Sequence, residues 1–392
     1  MSRPSIAFVC NEYPPAPHGG IGTFTEVVSR GLLQSGYRVR VLGVYESNRV
    51  DTVSNNGGVK VYKLAPEKPD VLGIRTRRKL FRTVAKWAAA GEIDVVEVYD
   101  YQGWAAGWPK LPVPVVARTH GASTYFRAEL GKRHTLQSRL TAFIEGASMR
   151  RADRWCSVSR YTAARTAELF GLPPADAIHY NFVDCPPKRR VDRSPNRIVF
   201  TGTLTHKKGI ESLIQAWNVV ADLRPDAQLH IYGKDPGGLG PRLKAQLDDS
   251  VRRSVHFHGH APRAAVLEAL GTARAAVFPS WAEAFAFAPL EAMAAGCPTI
   301  SSTRTSGPEA IVHGRDGLLV DPAQPAEIAA ATLQILNDDK LAERLGNAGR
   351  ERVEQCFCID TALEAIDRFY IETIHGFRPS RASNVAKAHT AV

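Results

Sequence analysis

The 392-residue chain lacks several features that mark particular classes of protein. No apolar run reaches the roughly 18 residues of a membrane-spanning helix, so none is predicted. A strand-like segment at residues 6–10 follows the amino terminus at once and leaves no room for a signal peptide. Six scattered cysteines (10, 156, 185, 297, 356 and 358) show no paired metal-ligand spacing and are expected to be reduced thiols. These absences predict a cytoplasmic protein.

Three common phosphate- and metal-binding motifs are also absent. The chain has no G-x4-G-K-[ST] loop, and the glycines Gly19, Gly20 and Gly22 lack the full G-x-G-x-x-G spacing, so a dinucleotide cofactor is not expected. No D-x-D pair stands in a loop to hold a divalent ion. The sequence therefore predicts neither a cofactor nor a metal site.

Positive charge is present in excess, and it is unevenly distributed. The net charge is +11, and residues 1–183 hold 25 Lys and Arg against 15 Asp and Glu. The remainder of the chain holds 25 against 24 and is nearly neutral. An anionic partner is therefore expected for the first half only.

The densest basic segment is residues 71–91, which hold six cations and no acid: Arg75, Arg77, Arg78, Lys79, Arg82 and Lys86. Apolar residues at 74, 81, 84 and 88 recur at helical spacing. Such a helix suits contact with an anionic membrane surface, but an ordinary solvated surface helix has the same pattern. Nucleic acid is not expected as a partner, because no aromatic-interleaved basic motif accompanies the charge.

Strand-like and helix-like segments alternate along the chain, which predicts an α/β protein with parallel sheets. At this length two domains are expected. The first is assigned to residues 1–184 and the second to residues 197–360, with a proline- and charge-rich linker at 185–196. A final helix is predicted at 361–377, and the polar tail 378–392 is expected to be disordered.

The most informative segment is 283–300, E-A-F-A-F-A-P-L-E-A-M-A-A-G-C-P-T-I. An apolar strand ends before Glu283, and Pro289 is expected to open a helix with Glu291 in its first turn. The segment resembles the E-x7-E signature of retaining glycosyltransferases of family 4. Further matches occur at 17–24, 200–209, 306–312 and 313–320. The resemblance implies a GT-B fold: two Rossmann-like domains facing across a cleft, with the last helix crossing back to the first domain.

In that family the second domain binds a nucleoside-diphosphate sugar, so the resemblance assigns roles to residues of the signature. Glu291 would accept hydrogen bonds from the ribose hydroxyls, and Glu283 would bind hydroxyls of the donor sugar. Backbone amides of residues 285–288, including Phe285, Ala286 and Phe287, would add donors. Ala286 stands where the family commonly has glycine.

The donor diphosphate requires positive charge. Lys208 follows a strand and precedes a helix, where a cation and free N–H groups suit an anion, and Lys207 stands beside it. The family usually has an arginine at the position of Thr203, so Lys207 or His206 would supply the missing charge. A surface Lys-Lys pair on a turn is the alternative.

The first domain supplies five further candidates. The glycines Gly19 and Gly20 allow close approach of a phosphate or sugar, and the resemblance places Gly20 opposite the donor diphosphate. His120 matches the family histidine that stabilises charge near the anomeric carbon or positions the donor hydroxymethyl group. A structural histidine in a loop is the alternative. Asp100 and Tyr101 are candidates for contact with the acceptor.

The resemblance implies a metal-independent, retaining hexosyltransferase, with His120, Lys208 and Glu283 as its catalytic residues. The basic first half suggests a lipid-linked or membrane-surface glycan acceptor in polysaccharide or lipopolysaccharide biosynthesis, and a peripheral location at the inner face of the membrane. Two alternatives remain open at the sequence level. One is a sugar-nucleotide epimerase of the same fold, and the other is a pseudo-enzyme that only binds a nucleotide sugar.

Overall fold

A computed structural model of the protein describes residues 3–16, 19–185, 187 and 192–379. The chain divides into two units. The first consists of residues 1–180 together with the segment from 362 onward, and the second of residues 181–361. Part of the predicted linker (186 and 188–191) and most of the predicted tail (380–392) lie outside the described residues, as does His18 of the glycine loop.

The strands of the first unit are β1 (Ser5–Val9), β2 (Arg38–Val44), β3 (Thr52–Asn56), β4 (Val59–Leu64), β5 (Val95–Tyr99), β6 (Val115–Thr119), β7 (Arg154–Ser157) and β8 (Ala177–Ile178). Its helices before residue 180 are α1 (Gly20–Gln34), α2 (Ile74–Ala89), α3 (Ser123–Glu129), α4 (Leu136–Arg151) and α5 (Arg160–Phe170). Two 3₁₀ turns, Val71–Gly73 and Tyr101–Gly103, precede α2 and follow β5.

These strands form one sheet in the order β3-β4-β2-β1-β5-β6-β7-β8. All neighbours are parallel except β3 and β4. Strands β1 and β5 are buried along their whole length, as expected for a parallel sheet covered on both faces. The strand order reverses direction between β1 and β5, and ligands bind in open α/β sheets at such a switch point.

The strands of the second unit are β9 (Arg197–Thr201), β10 (Gln228–Tyr232), β11 (Val255–Gly259), β12 (Ala275–Phe278), β13 (Thr299–Ser302) and β14 (Leu318–Val320). Its helices are α6 (Ile210–Leu223), α7 (Leu239–Ala245), α8 (Asp249–Arg252), α9 (Arg263–Thr272), α10 (Phe287–Ala294), α11 (Gly307–Ala310), α12 (Pro325–Asn337) and α13 (Asp339–Cys356). The 3₁₀ turn His206–Lys208 precedes α6, and the last described helix is α14 (Ile359–Gly376).

The second sheet is parallel throughout, in the order β11-β10-β9-β12-β13-β14. Its core packs α6 and α12 against one face through residues such as Trp217, Ile300 and Ile335. A smaller cluster around Val199 and Phe278 covers the other face. The switch point of this sheet lies between β9 and β12. The chain therefore has the two Rossmann-like domains of the GT-B fold.

Helix α14 returns the chain to the first unit and is fixed there by a buried polar network. The Tyr370 hydroxyl donates to Glu97 Oε2 at 2.6 Å, and Arg118 Nε donates to Glu97 Oε1 at 2.8 Å. All three side chains are fully buried. Because a buried charge is costly without a partner, the network makes the docking of α14 specific.

The structure corrects three local expectations. Helix α10 begins at Phe287 rather than at Pro289, so Glu291 lies beyond its first turn. Strand β3 was not predicted, because its residues are almost all exposed and show no apolar alternation. Ile74 is exposed at the start of α2, whereas the buried residues of that helix are Thr76, Leu80, Val84, Trp87 and Ala88.

In the described part of the chain, no helix has both the length and the apolar character required to cross a membrane.

His179 makes the stability of the first unit dependent on pH. Its ring packs 5.2 Å from that of Phe369 on α14, and burial, aided by Arg118 and Arg154, lowers its pKa to about 3. The unfolded chain takes up this proton near pH 6.5, so stability is lost as the pH falls from about 6.5 toward 3.

We therefore expect the free energy of unfolding to fall more between pH 7 and pH 5 in the wild type than in His179→Gln, by about 2 kcal/mol. Urea denaturation at both pH values measures the difference. His134→Gln, which changes an exposed histidine, is the matched control. Equal pH slopes in wild type and His179→Gln would contradict the assignment.

Candidate functional site

The loops after β9 and β12 meet at the switch point of the second sheet. Lys208 ends the 3₁₀ turn that follows β9, and Glu283 lies in the loop that follows β12. In open parallel sheets the crevice between such loops receives the ligand. The two predicted site residues with opposite charge are therefore at the edge of the sheet where binding is expected.

Gly209 permits the close approach of these two loops. Its φ is +69°, and a Cβ at this position would lie 1.8 Å from the carbonyl oxygen of Pro279. No other residue type tolerates both the backbone conformation and this contact. The backbone N–H of Trp281 also donates to the backbone carbonyl of Lys207 at 2.8 Å, which fixes one loop against the other.

Lys208 and Glu283 form a direct ion pair in which Lys208 Nζ donates to Glu283 Oε1 at 2.6 Å. Burial alone would raise the pKa of the Glu283 carboxyl. The charges of Lys208 and Lys207, with hydrogen bonds from Lys208 and Ser280, instead hold this pKa below its ordinary value. Glu283 is therefore an ionised hydrogen-bond acceptor at neutral pH. The ammonium of Lys208 has three donors, so it can bind an anion while it stays paired.

Lys207 and His206 were the two candidates for the charge that Thr203 cannot supply. Burial, together with the charge of Lys208, lowers the pKa of Lys207, and the charge of Glu283 opposes this effect. His206 is directed elsewhere: its Nδ1 lies 2.9 Å from Glu211 Oε2, and its ring stacks on Trp281 at 5.4 Å. Of the two, Lys207 is the one whose charge acts on Glu283 together with that of Lys208.

Lys208, Glu283 and Ala286 line one narrow cavity of about 20 Å³. That volume holds about one water molecule. Ala286 has a φ of −77°, which any residue adopts, so alanine is accommodated where the family commonly has glycine. Many of the other residues that line this cavity carry a hydroxyl group: Thr201, Ser280, Ser301, Ser302 and Ser306.

The segment between the two glutamates begins α10. Phe285 is buried, and its carbonyl accepts a hydrogen bond from Asn181 Nδ2 at 2.6 Å. Its ring packs 5.4 Å from Phe357, so the side chain belongs to the core. Ala286 is the residue before the helix, and Phe287 is its first residue. The amides at this end carry the partial positive charge of a helix amino terminus.

Glu291 lies on α10 and forms an ion pair with Arg263 of α9, at 2.8 Å between Oε1 and Nη2. Burial raises the pKa of this carboxyl, Arg263 opposes the effect, and Asp184 adds to it. Glu291 is not part of the lining of the narrow cavity. A ribose at Glu291 would therefore share the carboxylate with Arg263.

In the first unit, the glycine loop leads directly into α1. Gly20 is the first residue of the helix, and Gly19 before it has an extended backbone, with φ −113° and ψ −150°. Both glycines are exposed. The Gly22 N–H donates to Glu12 Oε1 at 2.7 Å, so a carboxylate of this chain already lies at the amino end of α1.

His120 lies in a buried cage after β6. Its ring centroid is 4.8 Å from that of Phe24 and 5.3 Å from that of Tyr99. Its Nε2 is buried and has no hydrogen-bond partner among the described residues. Burial, with the nearby charge of Arg118, lowers the pKa of His120 well below its ordinary value. The imidazole is therefore neutral at physiological pH.

Asp100 holds the His120 loop in place. Its carboxylate is fully buried and accepts the N–H groups of His120 at 2.9 Å and Gly121 at 3.1 Å. Burial raises its pKa to about 7, the hydrogen bond from the His120 amide opposes the effect, and Glu145 adds to it. Asp100 was predicted to contact the acceptor. In this structure the carboxylate is instead engaged in positioning His120.

Tyr101, the other predicted acceptor residue, is exposed and begins the 3₁₀ turn after β5. It lines a cavity of about 190 Å³ together with Glu12, Tyr99 and Trp104. The indole N–H of Trp104 donates to Asn11 Oδ1 at 3.2 Å, and Asn11 Nδ2 donates to Gln102 Oε1 at 2.8 Å. These contacts order the loop that carries Tyr101.

Several residues that shape the sites were not identified from the sequence. Arg263 pairs with Glu291, and Thr305 Oγ1 accepts the Glu283 N–H at 3.1 Å. Thr305 has a φ of +51°, which is strained for a β-branched residue. Neither stands in a recognisable motif. Glu12 was also not identified, but its position could have suggested a role at the site, because it follows the first strand and precedes the glycine loop.

A larger cavity in the second unit, about 600 Å³, is lined by His206, Trp281 and residues of α6 and α7, and His206 is the one candidate from the sequence in its described lining. Among the described residues, no group of three or more His, Cys, Asp or Glu is placed to hold a metal ion.

Two family models match consecutive parts of the chain. "Glycosyltransferase Family 4" matches residues 18–186, and "Glycosyl transferases group 1" matches residues 185–352. Over 409 aligned residues the chain is 27% identical to glycogen synthase of Mycobacterium tuberculosis, covering 95% of this chain and 96% of that protein. The chain is a family 4-type glycosyltransferase.

Other similarities agree with this assignment. Over 261 residues the glycosyltransferase is 28% identical to a GDP-mannose-dependent monoacylated alpha-(1-6)-phosphatidylinositol monomannoside mannosyltransferase of Corynebacterium glutamicum, covering 61% of this chain and 65% of that one. Its fold matches the solved structure of sucrose-phosphate synthase from Thermosynechococcus elongatus with a TM-score of 0.81. The structural match is 20% identical and covers 96% of this chain and 100% of the other. These similarities identify a hexosyltransferase of the GT-B type.

Replacing Gly209 tests the contact that joins the two loops. In Gly209→Ala the new methyl group meets the Pro279 carbonyl and the backbone is strained, so we expect a loss of more than about 2 kcal/mol in unfolding free energy. Chemical denaturation measures it. Gly237→Ala is the matched control, because a Cβ there meets no atom within 4 Å. Similar stabilities of the two variants would show that the approach is not a constraint.

Proposed function

We propose that the glycosyltransferase moves a hexosyl unit from a nucleoside-diphosphate sugar to a lipid-linked or membrane-surface glycan, with retention of configuration. The observation that carries the donor half of the proposal is the ion pair between Lys208 and Glu283 at the switch point of the second sheet. It sets a cation and an ionised acceptor side by side. A donor sugar needs both, one for its phosphates and one for its hydroxyls.

On this proposal Lys208 neutralises the charge that develops on the leaving diphosphate. Lys207 and the amides at the start of α10 add to the positive potential, since fixed donors in a site of low dielectric stabilise such charge strongly. Glu283 accepts hydrogen bonds from the sugar, and Glu291 accepts them from the ribose. Glycines Gly19 and Gly20 allow backbone N–H groups to approach the phosphates. The donor phosphate itself assists in deprotonating the acceptor.

His120 acts in its neutral form. A protonated imidazole would repel the positive charge that develops at an anomeric carbon, whereas a neutral ring can offer a hydrogen bond from Nε2, which has no partner in the part of the chain that the structure describes. Asp100 holds the loop of His120 in position, because its carboxylate accepts hydrogen bonds from the backbone N–H groups of His120 and Gly121. Asp100 is thus a positioning residue, and Tyr101 remains our candidate for the acceptor.

The acceptor half of the proposal is supported by the basic helix α2. Of the six cations in residues 71–91, Arg77 donates to the carbonyls of Gln102 and Gly103, and Lys79 pairs with Asp51 at 2.7 Å. The other four are exposed: Arg75, Arg78, Arg82 and Lys86. Cations of this kind attract anionic lipid surfaces. The mannosyltransferase relative, whose name specifies a phosphatidylinositol acceptor, agrees with a lipid-linked substrate. We place the reaction in polysaccharide or lipopolysaccharide biosynthesis.

Replacement of the paired residues tests the donor site. Both Lys208→Ala and Glu283→Gln should lower kcat by about 100-fold or more, because they remove charge that acts on the leaving group or the sugar. A panel of nucleotide sugars with a glycan acceptor, scored for released nucleoside diphosphate, measures the loss.

The control is Lys244→Ala, which removes an exposed lysine of α7. Its turnover should equal that of the wild type, and thermal unfolding should show all three variants folded. Wild-type turnover in Lys208→Ala would refute the donor assignment. An isomerised donor in reactions without acceptor would indicate an epimerase instead.

Charge reversal on α2 tests the membrane surface. Arg75→Glu with Arg78→Glu should weaken binding to vesicles that contain anionic lipid by about 30-fold or more at low salt, since each cation near the surface contributes about 1 kcal/mol. Vesicle sedimentation measures it. Reversal of Arg242 and Lys244 on α7, equal in charge, should have little effect. If the wild type is not retained at low salt, the membrane-surface acceptor is rejected.

A further inference from the structure

Helix α4 carries an exposed row of large apolar side chains, which we call the α4 ridge. It consists of Leu136, Leu140 and Phe143, whose exposed fractions are 85%, 38% and 68%. Their spacing of four and three residues puts them on one face of the helix. The opposite face packs into the first unit through residues that include Glu145, Ser148 and Met149. The ridge is therefore a surface feature of a firmly docked helix.

The surroundings of the ridge are cationic. Residues 130–144 include Lys132, Arg133 and Arg139 and contain no Asp or Glu. These three cations and His134 are exposed. Apolar residues rimmed by positive charge are typical of helices that lie in the headgroup region of an anionic bilayer.

The ridge also adjoins the segment that carries Tyr101. A Cβ on Gly103 would lie 2.7 Å from the carbonyl oxygen of Ile144, so the 3₁₀ turn Tyr101–Gly103 packs directly on α4 next to Phe143. On its other side, Arg77 of α2 donates to the carbonyls of Gln102 and Gly103. The turn is therefore held between α4 and the amino-terminal end of α2, where Val71, Leu72 and Ile74 are exposed as well.

We propose that the α4 ridge inserts into the interfacial region of an anionic lipid membrane. The inference rests on the proposed function in one respect, since it explains how a lipid-linked acceptor reaches the Tyr101 turn. Charge on α2 supplies long-range attraction, whereas the α4 ridge supplies apolar contact that salt does not screen. The two surfaces therefore make separable contributions.

A second copy of this chain is a less suitable occupant. In a two-fold interface the same patch meets itself, so Lys132, Arg133 and Arg139 of one copy would face their counterparts in the other. Like charges across an interface oppose association. An anionic bilayer instead complements both the apolar and the cationic parts of the surface.

The test uses the full chain and vesicles of phosphatidylcholine, with and without phosphatidylglycerol, in the absence of donor and acceptor. The ridge variant carries Leu136→Ser, Leu140→Ser and Phe143→Ser. The control carries Val219→Ser and Leu223→Ser on α6, which are 47% and 62% exposed in the second unit. Flotation is measured at low and high salt, and thermal unfolding checks the fold of each protein.

We expect the wild type and the α6 control to bind anionic vesicles and to keep part of that binding at high salt. The ridge variant should bind about tenfold less at high salt. Equal binding by the ridge variant overturns the inference, as does a wild type that binds no vesicles. So does a wild-type dimer in vesicle-free solution that the ridge variant abolishes, because a second copy would then cover the ridge.

Failure of this inference differs from failure of the proposed function. Turnover on a water-soluble glycan, with no dependence of vesicle binding on the ridge, rejects only the membrane insertion. Ridge-dependent vesicle binding without any sugar transfer rejects only the proposed function.

Discussion

The candidate donor site depends on one steric constraint, the contact between Gly209 and the carbonyl of Pro279. This contact brings the loop after β9 against the loop after β12. The two strands are neighbours in the sheet, but the contacting residues lie about seventy residues apart in the chain. Only a residue without a Cβ allows this approach, and the approach sets Lys208 against Glu283. The resulting ion pair keeps a carboxylate ionised in a buried place. The electrostatics of the site therefore follow from a backbone contact rather than from the charged residues alone.

In the first unit, too, tertiary packing supplies partners for buried polar groups. Glu97 is buried with Arg118 and Tyr370, and this network fixes the last helix to the first sheet. Arg118 in turn contributes to the lowered pKa of His120, whose loop is held by the carboxylate of Asp100. Structural and candidate functional groups thus share one electrostatic environment. A change in the docking of the last helix would alter the surroundings of Arg118 and, through the charge of Arg118, the pKa of His120.

Much of the fold was predictable, since long buried strands alternate with amphipathic helices and the signature between Glu283 and Glu291 is specific. The failures have physical causes. Strand β3 pairs at an edge with exposed side chains, so it shows no apolar alternation. The buried residues of helix α4 are mostly polar or glycine, whereas its large apolar residues Leu136, Leu140 and Phe143 are exposed, so the spacing of apolar residues does not indicate which face packs. The start of α10 was misplaced because proline is tolerated throughout the first turn of a helix, and here it stands third.

The amino-acid sequence by itself determined the α/β class, the division into two domains, the glycosyltransferase family and the choice of Lys208 and Glu283, each separately, as candidate site residues. These follow from local patterns and from residue types at fixed spacing. The tertiary structure alone decided that Asp100 is buried beneath His120, that Arg263 shares Glu291, and that Leu136, Leu140 and Phe143 remain uncovered. Each of these outcomes depends on which distant segments pack together, and the spacing of residues along the chain does not determine that packing.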